Sequence, residues 1–163
     1  LGPLTNPAGP RFQLVGVSSP EMLDLIAGAL VKLGVTSALV VHADDGADEI
    51  SVSTSTQARE IRDGRICRRE LQPGDFGFEP VDPAGLRGGD AAVNARILEQ
   101  VLGGEPGAAR NAVVANAAGA LYVAGRAVSL REAACLASRA LDDGSAAATL
   151  QRLRSATQQP ART

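Results

Sequence analysis

The sequence has 163 residues, of which 45% are hydrophobic and only 2% aromatic, and its formal net charge is −2. This length suffices for one domain with a real core, which we expect to consist mainly of Leu, Val, Ile and Ala. The composition argues against nucleic-acid binding, because readers of single strands use aromatic stacking platforms and duplex binders present a basic face.

In chain order, the first half predicts strand, helix, strand. Residues 11–17 are apolar and β-branched, which favours a strand. Ser19 and Pro20 suit the start of a helix whose apolar stripe extends to Leu33, and Gly34 suits its end. Residues 38–41 are apolar without interruption, the pattern of a central strand covered on both faces. This order implies a parallel pair with a right-handed crossover.

The middle of the chain predicts a hairpin. Residues 50–53 alternate between apolar and polar side chains, as in a strand. Residues 58–68 carry Asp63 and Gly64 between two candidate strands, and Asp-Gly is a strong hairpin signal because both turn residues must tolerate positive φ. Charged flanks place this hairpin at a sheet edge.

The last third predicts helices. Asp90 is a candidate cap for a helix with an apolar face, residues 112–124 predict a buried helix, and residues 129–132 form a capping box for another. A final helix follows Gly144, and residues 158–163 are expected to be a frayed tail. The apolar run 112–124 is shorter than the roughly 20 residues that cross a bilayer, so no membrane association is expected. The predicted fold is therefore α/β, a mostly parallel sheet flanked by helices with an antiparallel edge hairpin.

A dense acidic stretch follows the second predicted strand, with Asp44, Asp45, Asp48 and Glu49 around a glycine turn. Two carboxylates about 4 Å apart repel by about 4 kcal/mol at the effective dielectric of a protein surface. Either a metal ion or a basic partner compensates for this repulsion, or the stretch is a solvated turn, as most charge runs are. Ligands in open α/β sheets bind beyond the carboxyl ends of strands, which favours the cation site.

Cys67, Cys135 and the single histidine, His42, are far apart in the sequence, which argues against a zinc site. Free thiols without a disulfide framework favour a reducing compartment, so the expected location is the cytoplasm.

Several phrases together resemble the C-terminal portion of anthranilate phosphoribosyltransferase, a family with the nucleoside phosphorylase/phosphoribosyltransferase type of domain. They occur in family order across nearly the whole chain. The phrases are LGPLTNP at residues 1–7, VVH at 40–42, GADEIS at 46–51, GGD at 88–90 with Asn94, and NAA at 116–118.

The resemblance implies transfer of the phosphoribosyl group of phosphoribosyl pyrophosphate to anthranilate, with release of pyrophosphate, in tryptophan biosynthesis. It also implies Mg²⁺ as cofactor, with Asp48 and Glu49 as metal ligands, and a homodimer of the full enzyme through a helical lobe. The chemistry suits the assignment, because a hard dication on oxygen ligands neutralises the anionic leaving group. Residues 1–10 would link the helical lobe to a partial catalytic domain at residues 11–157, with residues 158–163 as its tail.

Adjacent residues of an extended chain point to opposite faces, so Asp48 and Glu49 share one ion only if the backbone turns there. Otherwise they serve two ions, or one acts through water. Asp44 and Asp45 are weaker metal candidates.

The remaining polar candidates have structural interpretations. His42 is expected to be a packed or hydrogen-bonded residue. The hydroxyl-rich residues 53–56 either contact phosphate or form a turn before a strand, and we expect Asn94 and Asn116 to hydrogen-bond caps or neighbouring elements. The segment from Gly2 to Pro7 is expected to be structural.

The family's glycine-rich GTGGD loop and its Lys-His-Gly-Asn loop do not occur in this sequence, which also starts without methionine. We therefore expect a fragment that carries half of the metal site and has little activity alone. Two alternatives are a pyrimidine nucleoside phosphorylase-like enzyme and a non-catalytic α/β module that binds a partner.

Overall fold

A computed structural model describes residues 2–158. Within this range the chain forms a sheet of four strands and five α-helices. The strands are β1 (Phe12–Gly16), β2 (Ser37–Ala43), β3 (Thr56–Arg62) and β4 (Arg65–Leu71). The helices are α1 (Glu21–Lys32), α2 (Ala91–Leu102), α3 (Ala108–Val123), α4 (Leu130–Asp142) and α5 (Ser145–Gln158). Short 3₁₀ turns occupy Gly2–Leu4, Pro73–Phe76 and Pro83–Leu86.

The strand order is β1-β2-β3-β4. β1 and β2 are parallel and joined by α1, as predicted. β3 and β4 form the predicted hairpin, in which Asp63 and Gly64 have φ of +47° and +77°. β3 also lies antiparallel to β2, so the sheet is mixed rather than mostly parallel. Residues 44–55 contain no helix that would carry the chain back across the sheet for a parallel return.

Helices cover both faces of β2, whose seven residues are all buried. Ala38 and Val40 pack on the face covered by α1, together with Leu23 and Leu30. Leu39 and Val41 pack on the opposite face, where α3 and α4 form the larger cluster. Successive side chains of β2 therefore point alternately into the two hydrophobic clusters. This confirms the interpretation of β2 as a central strand covered on both faces.

Caps mark the helices of the C-terminal half. Asp90 accepts a hydrogen bond from the backbone N–H of Val93 at the start of α2. At α4, Ser129 Oγ accepts from Glu132 N, and Glu132 Oε2 accepts from Val128 N, one residue before the cap. Gln158, expected in the tail, is the last residue of α5, and residues 159–163 lie outside the described range.

None of the helices between residues 2 and 158 is long and apolar enough to span a bilayer.

Candidate functional site

The acidic segment, which we define as residues 44–50, begins where β2 ends. Because β1 is parallel to β2, the carboxyl ends of both strands meet at this edge of the sheet. A tight turn closes directly after the strand: Ala43 N donates to Ala47 O and Gly46 N donates to Ala43 O, each at 2.9 Å. Gly46 has φ of +89°, a conformation that glycine adopts without strain. The segment therefore lies at the predicted ligand edge.

The first two carboxylates are engaged within the loop. Asp44 accepts hydrogen bonds from Ser55 Oγ and from Gln57 Nε2. Asp45 accepts from Ala47 N at 3.2 Å and from Ser51 Oγ at 2.8 Å. The bonds from Ser55 and then Gln57 hold the pKa of Asp44 below its usual range. These two residues close the loop that leads into β3.

All four acids of the segment are exposed, and the last two are almost unengaged. Glu49 Oε2 has one long contact, 3.4 Å from Asn116 Nδ2. Among residues 2–158, the Asp48 side chain has neither a hydrogen-bond partner nor an ion-pair partner. Asp48 and Glu49 are therefore the two acids of the segment that are available to bind something else.

The end of β1 packs directly against the backbone of the segment. A Cβ atom on Gly16 would lie 1.6 Å from the carbonyl oxygen of Asp48, far inside van der Waals contact. Gly16 is not among the residues for which the sequence predicts a role in the site. A glycine between Val15 and Val17 in a strand nevertheless indicates a close backbone approach, and this was the available signal.

Asn116 on α3 holds the other side of the segment. Its Oδ1 accepts from Ile50 N at 2.9 Å, and its Nδ2 lies 3.1 Å from Ile50 O. This confirms the expectation that Asn116 bonds between elements, and it adds that the element is the acidic segment. Ile50 and Val52 are buried in a loop, so the predicted strand at residues 50–53 is wrong. The backbone groups of Ile50 and Ser51 bond to side chains, Asn116 and Thr56, instead of to a strand.

Asp48 and Glu49 line two different cavities. Asp48 contributes to one of about 260 Å³ together with Gly16 and Ser18. Glu49 contributes to one of about 330 Å³ together with Ser51 and Ala112. The backbone bends at both residues, which meets the condition for Asp48 and Glu49 to share one ion.

The donor set of this edge suits magnesium. Mg²⁺ prefers one or two carboxylates and retains several waters. Nowhere in residues 2–158 do three or more His, Cys, Asp or Glu side chains cluster as a metal cage. Two exposed carboxylates without strong partners are therefore what this part of the chain offers to a hydrated hard cation.

The other candidates have structural contacts. His42 is buried, with Nδ1 2.8 Å from the carbonyl oxygen of Val17, as expected for a packed histidine. The hydroxyls of Ser55 and Thr56 bond within the loop, to Asp44 and to Ser51 N. Asn94 bonds both backbone groups of Gly89 at 2.9 Å. Leu4, within the opening phrase, packs against the α1 core.

Proteins of known name and known structure are similar to this chain over most of its length. Anthranilate phosphoribosyltransferase of Rubrobacter xylanophilus is 51% identical over 153 residues, which are 93% of this chain and 45% of the relative. The crystal structure of the enzyme from Thermus thermophilus superimposes with a TM-score of 0.82 at 38% identity, covering 93% of this chain and 44% of that one. The Saccharomyces cerevisiae enzyme in complex with PRPP and Mg shares the fold, with a TM-score of 0.77 at 24% identity, over 85% of this chain and 40% of that chain.

The chain spans about half the length of the curated relatives that it matches. The sequence model of the family described as "Glycosyl transferase family, a/b domain" matches residues 1–147, which include the whole sheet, the acidic segment and α3. This chain therefore belongs to that glycosyl transferase family.

Proposed function

We propose that this chain serves the transfer of the phosphoribosyl group of phosphoribosyl pyrophosphate to the amine of anthranilate, which yields N-(5-phosphoribosyl)anthranilate and pyrophosphate. The observation that carries the proposal is the pair of exposed carboxylates at the carboxyl end of β2, whose backbone is held in place and whose oxygens have only one long contact, from Asn116 to Glu49. The names of the relatives supply the reaction.

In this proposal Asp48 and Glu49 are the protein ligands of Mg²⁺. When bound, the ion supplies positive charge to the pyrophosphate group as it leaves. The two acids present negative oxygen atoms at the sheet edge. The backbone contacts at Gly16 and Asn116 hold the part of the main chain from which these side chains extend. The bend at both residues suits direct sharing of one ion, whereas their separate cavities suit two ions or one ion reached through water, and the proposal includes all three arrangements.

The remaining assignments are part of the same proposal. Residues 11–157 are the α/β part of the catalytic domain, residues 1–10 link it to a helical lobe, and the full enzyme is a homodimer in the cytoplasm. The free state of Cys67 and Cys135 supports that location. The relatives' names favour this reaction over that of a pyrimidine nucleoside phosphorylase.

The test is the metal dependence of substrate binding in the full-length protein. Asp48→Asn and Glu49→Gln remove the charges while preserving size. We expect each to raise the Mg²⁺ concentration at half-maximal phosphoribosyl pyrophosphate binding, measured by calorimetry, by about tenfold or more, since even outer-shell partners of metals contribute 10- to 100-fold. Normal metal dependence and turnover in both variants would contradict the assignment.

Asp63→Asn is a matched control. Asp63 lies in the β3–β4 turn, at the opposite end of the sheet, and its φ of +47° is one that asparagine tolerates. Binding and turnover should be unchanged. Turnover of a pyrimidine nucleoside with phosphate, and none of anthranilate, would instead favour the phosphorylase; turnover of neither would favour a non-catalytic module.

A further inference from the structure

We propose that Asn116 is the positioning residue of Glu49: its side-chain amide fixes the backbone of Ile50 and thereby sets where Glu49 presents its carboxylate. The inference rests on the proposed function of Asp48 and Glu49 as magnesium ligands. It assigns to α3, a helix that carries neither acid, a part in forming the metal site.

The contacts of Asn116 reproduce those of a neighbouring strand. One side-chain amide pairs with both polar backbone groups of Ile50, at 2.9 Å to the nitrogen and 3.1 Å to the oxygen. Ile50 itself is 1% exposed, so its side chain anchors the same residue in the core. The residue next to Glu49 is thus held by its backbone and by its side chain at once.

The orientation of the amide is determined by its own helix. Asn116 Nδ2 also lies 3.0 Å from the carbonyl oxygen of Ala112. A flipped amide would place Oδ1 against two carbonyl oxygens and lose both contacts. The nitrogen has two hydrogens for three acceptors, and the longest contact, 3.4 Å, goes to Glu49 Oε2. Glu49 is therefore oriented but weakly held, which leaves its oxygens available to a cation.

A second feature of α3 allows this close approach. Gly119, less than one turn further along, faces the same segment, and a Cβ there would lie 2.7 Å from Ile50 Cδ1. The neighbouring helical positions Val114, Ala115 and Ala118 are at most 1% exposed. Asn116 therefore lies between buried positions of α3, which support its side chain from the core side of the helix.

Asn116→Asp tests the inference with a change of one group. The variant keeps the acceptor for Ile50 N but replaces the donor by an oxygen that faces Ile50 O, Ala112 O and Glu49 Oε2. We expect the Mg²⁺ concentration at half-maximal binding of phosphoribosyl pyrophosphate, measured by calorimetry on the full-length protein, to rise about 10- to 100-fold. Asn116→Ala, which removes the contacts without repulsion, should raise it in the same direction.

Asn94→Asp is the matched control, because Asn94 makes the same two bonds to a different residue, Gly89. It should leave the Mg²⁺ midpoint unchanged. In a Glu49→Gln background, Asn116→Ala should add little to the midpoint shift, while it still lowers the thermal unfolding temperature measured without metal.

The outcomes separate the two proposals. If Glu49→Gln shifts the midpoint but neither Asn116 variant does, or if Asn116→Ala shifts it equally with and without Glu49, the positioning role is overturned and the metal assignment stands. If Glu49→Gln shifts nothing, the metal assignment fails.

Discussion

The two halves of the acidic segment have similar composition and opposite roles. Asp44 and Asp45 direct their carboxylates into the loop, onto Ser55, Gln57 and Ser51. At Asp48 and Glu49 the backbone makes the fixed contacts, with Gly16 and through Ile50 with Asn116, and the carboxylates have only one long contact, from Asn116 to Glu49. The comparison shows that in one half the side chains hold the loop together, whereas in the other half the backbone does and the side chains are left without strong partners.

Gly16→Ala should have the largest effect of all, because it disrupts the part of the acidic segment that holds Asp48 and Glu49. The added methyl group would meet a backbone oxygen, which no side-chain rotation relieves. We expect a loss of about 3 kcal/mol or more in the free energy of unfolding, the upper range for overpacked sites, measured by urea denaturation. The segment should also shift, so the Mg²⁺ midpoint of substrate binding should rise.

Gly28→Ala in α1 is the control for this change, because a Cβ there meets nothing within 4 Å. It should raise stability by up to about 1 kcal/mol through helix propensity. Equal effects of the two substitutions would contradict the close contact at Gly16.

The two halves of the acidic segment should differ in how much their side chains contribute to the free energy of unfolding, which Asp45→Ala and Asp48→Ala compare. The first removes the acceptor of two hydrogen bonds, from Ala47 N and Ser51 Oγ, and should cost about 1 to 2 kcal/mol. The second removes an exposed carboxylate and should change the free energy of unfolding by less than about 0.5 kcal/mol. Thermal or urea unfolding without metal measures both, and a larger loss for Asp48→Ala would reverse the comparison.

The smallest expected effect is the pH dependence due to Asp44. Ser55 and Gln57 lower the pKa of this carboxyl from its ordinary value of 3.8. The folded state therefore binds the proton less readily than the unfolded state, and the stabilisation is complete above pH 3.8 and lost as the pH falls through the folded pKa. The difference in unfolding free energy between the protein and Asp44→Asn should shrink below that pH. Ser55→Ala should weaken the trend, and an unchanged trend would contradict the role of Ser55.

Local sequence patterns predicted most elements of the fold. The continuous apolar run of β2, the Asp63-Gly64 turn and the cap at Ser129 each depend on neighbours in sequence, and all three are confirmed. The sheet was predicted to be mostly parallel because strand, helix, strand opens the chain. The antiparallel pairing of β3 with β2 depends on the path of the connection at residues 44–55, and the apolar periodicity of the strands does not indicate that path.

The predicted apolar face of α2 is only partly buried: Val101 is buried, whereas Val93 and Leu98 are 40% and 45% exposed.

Sequence patterns identify the candidate ligands, a prediction that stays open, but they do not identify the residues that support them. Position at a strand end and the resemblance indicated Asp48 and Glu49. The contact of Asn116 with Ile50 joins residues 66 positions apart, and the contact of Gly16 with Asp48 joins two backbones, so neither appears as a local pattern. The strand predicted at residues 50–53 failed for the same reason, since side chains from elsewhere occupy its backbone groups.

The backbone contacts at Gly16 and Ile50 have a consequence for protein engineering. Because the fixed contacts of the segment do not involve the carboxylates of positions 48 and 49, those two side chains can be exchanged while the loop retains its shape. With Asp48 and Glu49 as the proposed ligands, imidazole in place of a carboxylate at either position would shift the metal preference of the site toward zinc or nickel.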